Sequence, residues 1–290
     1  AQRRFITEQF GSTVITRLNK FPFETLLKMP RLSFSDMENI LKRINISVTE
    51  EQFILAASSF RLLQSEKAYG NTCAPVPSLI SRVSKLIDTT TEKIQDTLEK
   101  YEKRFDWFDI GKSNYIQSIS SKERDLNIRN QLQRIKDEFQ RIGSNKSFVR
   151  SELKTWDNLE LSDEQLSAVN TSVNEAVSVI TGGPGAGKTT IVIGLVSALE
   201  ALEQTVKICA PTGRAAKRIQ ENPFLEKFDP STIHMFLAKM NTAKTDFDVM
   251  IVDEASMIDI DLLTQLLEKI PDGASLVFIG DPDQLPPVGP

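Results

Sequence analysis

Thr181-Gly-Gly-Pro-Gly-Ala-Gly-Lys-Thr-Thr190 fits the pattern G-x-x-x-x-G-K-[ST], with Gly182 and Gly187 as the fixed glycines, then Lys188 and Thr189. Cradling a phosphate chain requires several backbone N–H groups pointed inward, and glycines let a loop fold that tightly. Gly183, Pro184, Gly185, Ala186 and Gly187 make up the cradle, and Thr190 continues it into a helix. Lys188 is placed to reach the β- and γ-phosphates, and the Thr189 hydroxyl to ligate Mg²⁺. Residues 176–180 precede the loop as a short apolar strand. Residues 191–202 follow as a helix whose N-terminus faces the anion. With strand and helix both in place, a chance Gly-rich turn is the weaker reading.

Downstream, strands and helices alternate. Apolar strands are expected at 206–210, 249–252 and 276–279, with helices starting at Arg214 and Ile258. Such alternation predicts a parallel α/β sheet with crossover helices on both faces. Ligands of such sheets bind beyond the carboxyl ends of the strands. The phosphate loop, residues 211–214, Asp253, Glu254 and Asp281 all fall at strand ends, so they converge on one edge.

Val249-Met-Ile-Val-Asp-Glu254 is an apolar strand ending in two carboxylates. Asp253 is expected in the Mg²⁺ shell and Glu254 as general base for an attacking water. Acids that merely start a helix are the plainer alternative. After the last strand, Gln284 is placed to sense a γ-phosphate. Leu161-Ser-Asp-Glu-Gln165 has two readings. Ser162 and Gln165 match a capping box, or Gln165 bonds an adenine edge; spacing does not separate them.

The first half reads as helices. Phe5, Phe10, Val14 and Leu18 recur at helical spacing. Residues 21–30 give a short helix bounded by prolines. Ser35-Asp-Met-Glu38 looks like a capping box opening the next helix, and residues 48–68 form another. Residues 71–77, with two prolines, break the pattern. Two further helices precede a hairpin of residues 105–110 and 115–119, the order of a winged-helix module. Trp107 and Tyr115 either stack on bases or pack inside the hairpin. Residues 121–142 form a long helix with a 4-3-4-3 seam of Ile128, Leu132, Ile135, Phe139 and Ile142. The expected division is 1–70 and 71–143 as N-terminal modules, 144–158 as linker and 159–290 as the α/β domain.

Charge is uneven. Residues 1–150 carry 25 Lys+Arg against 18 Asp+Glu, a balance of +7, and residues 151–290 carry 10 against 21, a balance of −11. The basic half either attracts a polyanion or is simply solvated. No 18-residue apolar run and no signal segment at residues 1–10 are visible, so no membrane partner is expected. Cys73 and Cys209 are expected as free thiols in a reducing cytoplasm.

The motif set resembles the first RecA-like motor domain of superfamily-1 DNA helicases of the RecD type, the family of the exonuclease V alpha subunit. Residues 161–165, 181–190, Ala210-Pro-Thr-Gly-Arg-Ala-Ala-Lys-Arg218, Ser231-Thr-Ile-His234, Val252-Asp-Glu-Ala-Ser-Met257 and residues 280–290 carry the resemblance, in order. It implies an ATP- and Mg²⁺-dependent helicase moving 5′→3′ on single-stranded DNA, in recombination or repair. It implies that Gln165 reads adenine, that Lys188, Asp253, Glu254 and Gln284 serve hydrolysis, and that Pro211, Thr212, Gly213, Arg214 and His234 touch DNA. Arg214, Lys217 and Arg218 beside that loop suit phosphate contact, with a solvated helix face as the other reading of Lys217 and Arg218 and a packed histidine as that of His234. It leaves room for other helicase or nuclease subunits as partners. Residues 1–150 resemble the helical N-terminal region of longer members. There residues 29–34 stand where a helix-hairpin-helix turn normally carries glycine. Family members continue into a second RecA-like domain that supplies an arginine, so the 290-residue chain alone is expected to hydrolyse ATP feebly. Only residues 238–247 separate the His234 helix from the Asp253 strand, where relatives often insert a duplex-splitting hairpin; it is either absent or its residues are missing. A conjugative relaxase-linked helicase and a nucleotide-dependent docking module are the rival readings.

Overall fold

The structure, a computed structural model, describes residues 13–29, 32–142, 160–240 and 246–284, the side chains of 140–142 aside. The expectations for Phe5 and Phe10, for residues 30 and 31, for the linker 144–158 and for the loop beyond 284 lie outside the described residues. The chain forms two compact units that divide between Lys122 and Glu123.

In the first unit, helices α1 (Val14–Lys20), α2 (Pro22–Leu27), α3 (Phe34–Arg43) and α4 (Glu50–Tyr69) are followed by strand β1 (Cys73–Pro75). Helices α5 (Val76–Ile87) and α6 (Thr91–Lys100) and the hairpin β2 (Phe105–Ile110) and β3 (Ser113–Ser118) complete it. Phe23, Leu26, Met37 and Ile54 pack in one core with Leu79, Val83, Ile94, Leu98 and Ile116. Among the described residues, those from Phe23 to Ile116 share one core across the expected boundary at residue 70.

Two local expectations are corrected. The box that opens α3 is Ser33 with Asp36, not Ser35 with Glu38. Ser33 Oγ accepts from Asp36 N at 3.1 Å, and Asp36 Oδ2 accepts from Ser33 N at 3.1 Å. Aspartate does the work that glutamate usually does, and such a cap contributes about 1 kcal/mol. The break at residues 71–77 contains β1, which pairs antiparallel with β3 through Cys73–Gln117, Ala74–Ile116 and Pro75–Tyr115. The winged-helix-like hairpin is present and gains this third strand. Trp107 and Tyr115 serve the packing. Trp107 Nε1 donates to Glu102 O at 3.2 Å, and Tyr115 stacks on Phe108 at 6.0 Å between ring centroids.

Helix α7 (Ile119–Ile142) begins at the hairpin, and most of it counts with the second unit. Ile135 is fully buried there, with Ile128, Leu132 and Phe139 packed around it. Arg134 pairs with Asp272 and donates to Leu267 O at 3.1 Å and Ile270 O at 3.0 Å. The apolar seam read from the sequence is what assigns this helix to the second unit.

The second unit continues with α8 (Asp163–Asn174), β4 (Val177–Thr181), α9 (Lys188–Ala201), β5 (Val206–Ala210) and α10 (Gly213–Gln220). It ends with β6 (Ser231–Thr232), α11 (Ile233–Met240), β7 (Val249–Val252), α12 (Ile260–Leu267) and β8 (Ser275–Gly280). All strand pairs are parallel, in the order β4-β8-β7-β5-β6. Side chains alternate across the sheet as period-2 geometry requires. Val249, Ile251, Val277 and Ile279 face α8, α9 and α10, whereas Met250, Val252 and Leu276 face α7, α11 and α12. This is the expected RecA-like α/β sheet with helices on both faces.

Candidate functional site

Parallel strands deliver their carboxyl ends to one edge, and the site is assembled there. Between β4 and α9, Gly185 and Gly187 adopt φ of +77° and +76°, conformations that side chains disfavour. At Gly187 a Cβ would also stand 2.4 Å from Gln165 Nε2. Thr189 and Thr190 lie in the first turn of α9, where backbone N–H groups have no helical partner and favour an anion.

Lys188 is drawn back along the loop. Its Nζ donates to Gly182 O at 2.7 Å and Gly183 O at 3.4 Å, and meets Asp281 Oδ2 at 3.4 Å. Asp281, at the end of β8, also accepts from Asp283 N at 3.0 Å, which turns the chain toward Gln284. Gln284 N in turn donates to Asp281 O at 3.2 Å. The strand-end position of Asp281 was visible in the sequence; its pairing with the lysine was not.

Asp253 and Glu254 follow β7 and are 5% and 7% exposed. Asp253 Oδ1 and Glu254 Oε2 are buried with no hydrogen-bond partner among the described residues. Buried carboxylate oxygens are costly without a donor or a cation, so the pair fits a divalent ion. Burial first, and the neighbouring Glu254 charge with it, hold the Asp253 carboxyl above the usual carboxylate range, against a backbone hydrogen bond and Arg218. Glu254 itself adopts φ 54°, ψ 37°, the left-handed region that non-glycine residues enter at a cost of about 1 kcal/mol. Arg218 Nη2 donates to Glu254 Oε1 at 2.7 Å and to Asp253 Oδ2 at 3.4 Å. The sequence left Arg218 between a phosphate contact and a solvated helix face; the structure turns it onto the carboxylates.

Gln165 fulfils the capping-box reading. Its Oε1 accepts from Ser162 N at 3.0 Å, and Ser162 Oγ accepts from Gln165 N at 3.2 Å. Its Nε2 points to Ala186 O at 3.4 Å, so the side chain also touches the phosphate loop.

Thr212 Oγ1 caps α10 by accepting from Ala215 N at 3.2 Å. Gly213 and Arg214 are exposed, as is His234 at the start of α11. Ala210 pairs in register with Thr232, so Pro211, Thr212 and His234 emerge side by side from neighbouring strands. A cleft of about 720 Å³ runs from Thr212 and Arg214 past Arg218 to Glu254 and Gln284. An adjoining one of about 270 Å³ is lined by Thr189, Asp253 and Arg218. Pro184, Gly183, Ala186 and the other loop residues thus lie at the same strand edge as both carboxylates.

The profile of the AAA domain family matches residues 165–290. Residues 165–290 have the RecA-like fold of that family. They are homologous to RecD helicases. The chain is 38% identical over 135 residues to the ATP-dependent RecD2 DNA helicase of Deinococcus radiodurans, covering 44% of this chain and 18% of that protein. It is 33% identical over 155 residues to the RecBCD enzyme subunit RecD of Mycolicibacterium smegmatis, covering 42% of this chain and 28% of that one. With the RecBCD enzyme subunit RecD of Haemophilus influenzae it shares 34% over 156 residues, covering 43% and 24%. The match therefore spans less than a third of each relative's length. An AAA domain binds nucleotide, and the loop, threonines and carboxylates described above are suited to that task. Among the described residues no helix is long and apolar enough to cross a membrane.

Proposed function

We propose that this domain is part of an ATP-dependent DNA helicase that couples ATP hydrolysis to movement along single-stranded DNA, in the 5′→3′ direction and in recombination or repair. The single observation that carries the coupling is the continuous cleft from Thr212 and Arg214 to Glu254 and Gln284. A strand held at one end and a phosphate reacting at the other would be linked through one wall.

In this reading the phosphate loop from Gly183 to Thr190 holds the triphosphate, with Lys188 leaving its carbonyl partners for the β- and γ-phosphates. Thr189 and Asp253 would hold Mg²⁺, which would supply charge stabilisation at a phosphoryl group. Glu254 takes the proton of the attacking water, and its buried, unpartnered Oε2 is the atom suited to do so. Gln284 senses the γ-phosphate, and Gln165 contacts the adenine edge from its place against the loop. Pro211, Thr212, Gly213, Arg214 and His234 form the strand contact. Two of the relatives are named as subunits of a RecBCD enzyme, which supports other helicase or nuclease subunits as partners.

The test is ATP turnover with and without single-stranded DNA, beside Lys188→Ala. Stimulation by DNA, lost in the variant, is expected. Turnover that ignores DNA yet still needs Lys188 would replace the helicase with a nucleotide-dependent docking module.

A further inference from the structure

The two carboxylates at the end of β7 are buried side by side, and such a pair needs a cation. Lys188 is engaged with Gly182 O, Gly183 O and Asp281 instead. The cation present is Arg218, which reaches both acids through one nitrogen, Nη2. A guanidinium used this way gives up its two-pronged fit to a carboxylate. It also brings one positive charge to two negative ones, and leaves Asp253 Oδ1 and Glu254 Oε2 without partners among the described residues. Its side chain is 56% exposed, so the contact opens toward solvent rather than being locked in the core. The arrangement satisfies half of the site and can be vacated.

We propose that Arg218 is a positioning residue: in the nucleotide-free protein it holds the carboxylates of Asp253 and Glu254 and competes for them with the Mg²⁺ that accompanies the nucleotide. This rests on the nucleotide-binding reading of the site. Arg214, one turn earlier on α10, lines the same cleft, so a strand bound at Arg214 would pull on the helix that carries the competing cation.

The experiment is a Mg²⁺ titration of the full 290-residue chain with a fluorescent ADP analogue, for wild type, Arg218→Gln and Arg218→Lys, with folding checked by circular dichroism. The Mg²⁺ concentration that half-maximally strengthens ADP binding should fall on the order of tenfold in Arg218→Gln, the size of one charge-assisted hydrogen bond discounted for exposure. ADP binding in excess chelator should not change. Arg218→Lys, which keeps the charge, should stay within about threefold of wild type on the same discount. An unchanged or raised Mg²⁺ requirement in Arg218→Gln, or a lysine variant that behaves like the glutamine one, would overturn the proposal. Folded wild type that binds no ADP at any Mg²⁺ concentration would instead overturn the nucleotide-site reading, and this proposal with it.

Discussion

Lys188 Nζ lies 3.4 Å from Asp281 Oδ2, joining the phosphate loop to the end of the neighbouring strand β8, with the two side chains 13% and 1% exposed. The lysine that the resemblance assigns to phosphate is thus held by its own protein until a stronger anion arrives. Asp281→Asn keeps an oxygen for Asp283 N but removes the charge facing Lys188. Urea unfolding of this variant should show a loss of about 1–3 kcal/mol, the range for unpairing a mostly buried cation that retains carbonyl partners. An unchanged midpoint would mean that the carbonyls alone hold the lysine.

Gly187 and Gln165 compete for one space. Gly187→Ala adds a methyl 2.4 Å from Gln165 Nε2 at φ +76°, so it is expected to cost about 1–2 kcal/mol. Part of that cost is the clash and part the backbone. In Gly187→Ala with Gln165→Ala the clash disappears, and the double-mutant cycle should show a favourable coupling of about 0.5 kcal/mol or more. Strict additivity would show that backbone conformation alone makes glycine necessary.

Asp253 bears a cost that the proposed metal-binding role would explain. Burial raises its folded-state carboxyl above its unfolded value, so the folded state binds more protons across that interval. Stability is therefore lost as pH rises through it, and the cost is complete above it. Asp253→Asn should melt at a higher temperature than wild type at pH 7 in the absence of nucleotide. The difference should close as pH falls toward about 4, where an unperturbed aspartate protonates. A variant that melts lower at pH 7 would show that the Arg218 contact outweighs the burial.

The legible parts of this fold are those with local signals. The run at residues 249–252 became a strand at those bounds because fully buried parallel strands are continuously apolar, and 206–210 did so although Lys207 interrupts its apolar run. The seam of α7 was legible because Ile128, Leu132 and Ile135 recur at helical spacing, but what it packs against was not. Strand β1 is three residues ending in proline, and β6 is two residues; each exists only through a distant partner, β3 and β5. The cap at Ser33 was missed because a serine two residues later made an equally good pattern. At the site, loop and carboxylates were readable as motifs. The turning of Arg218 onto Glu254 was not, since a basic residue beside a proposed DNA loop looks the same whichever way it points.

In the proposed function, Glu254 performs chemistry at a nucleotide site built by the 181–190 loop. Single-turnover ATP hydrolysis with excess protein, for wild type and Glu254→Gln, tests it most directly, alongside ATP affinity. The prediction is affinity within about threefold of wild type and hydrolysis slowed by about 10²–10⁴, the usual contribution of a positioned general base. A glutamine variant that hydrolyses ATP at the wild-type rate would contradict the account.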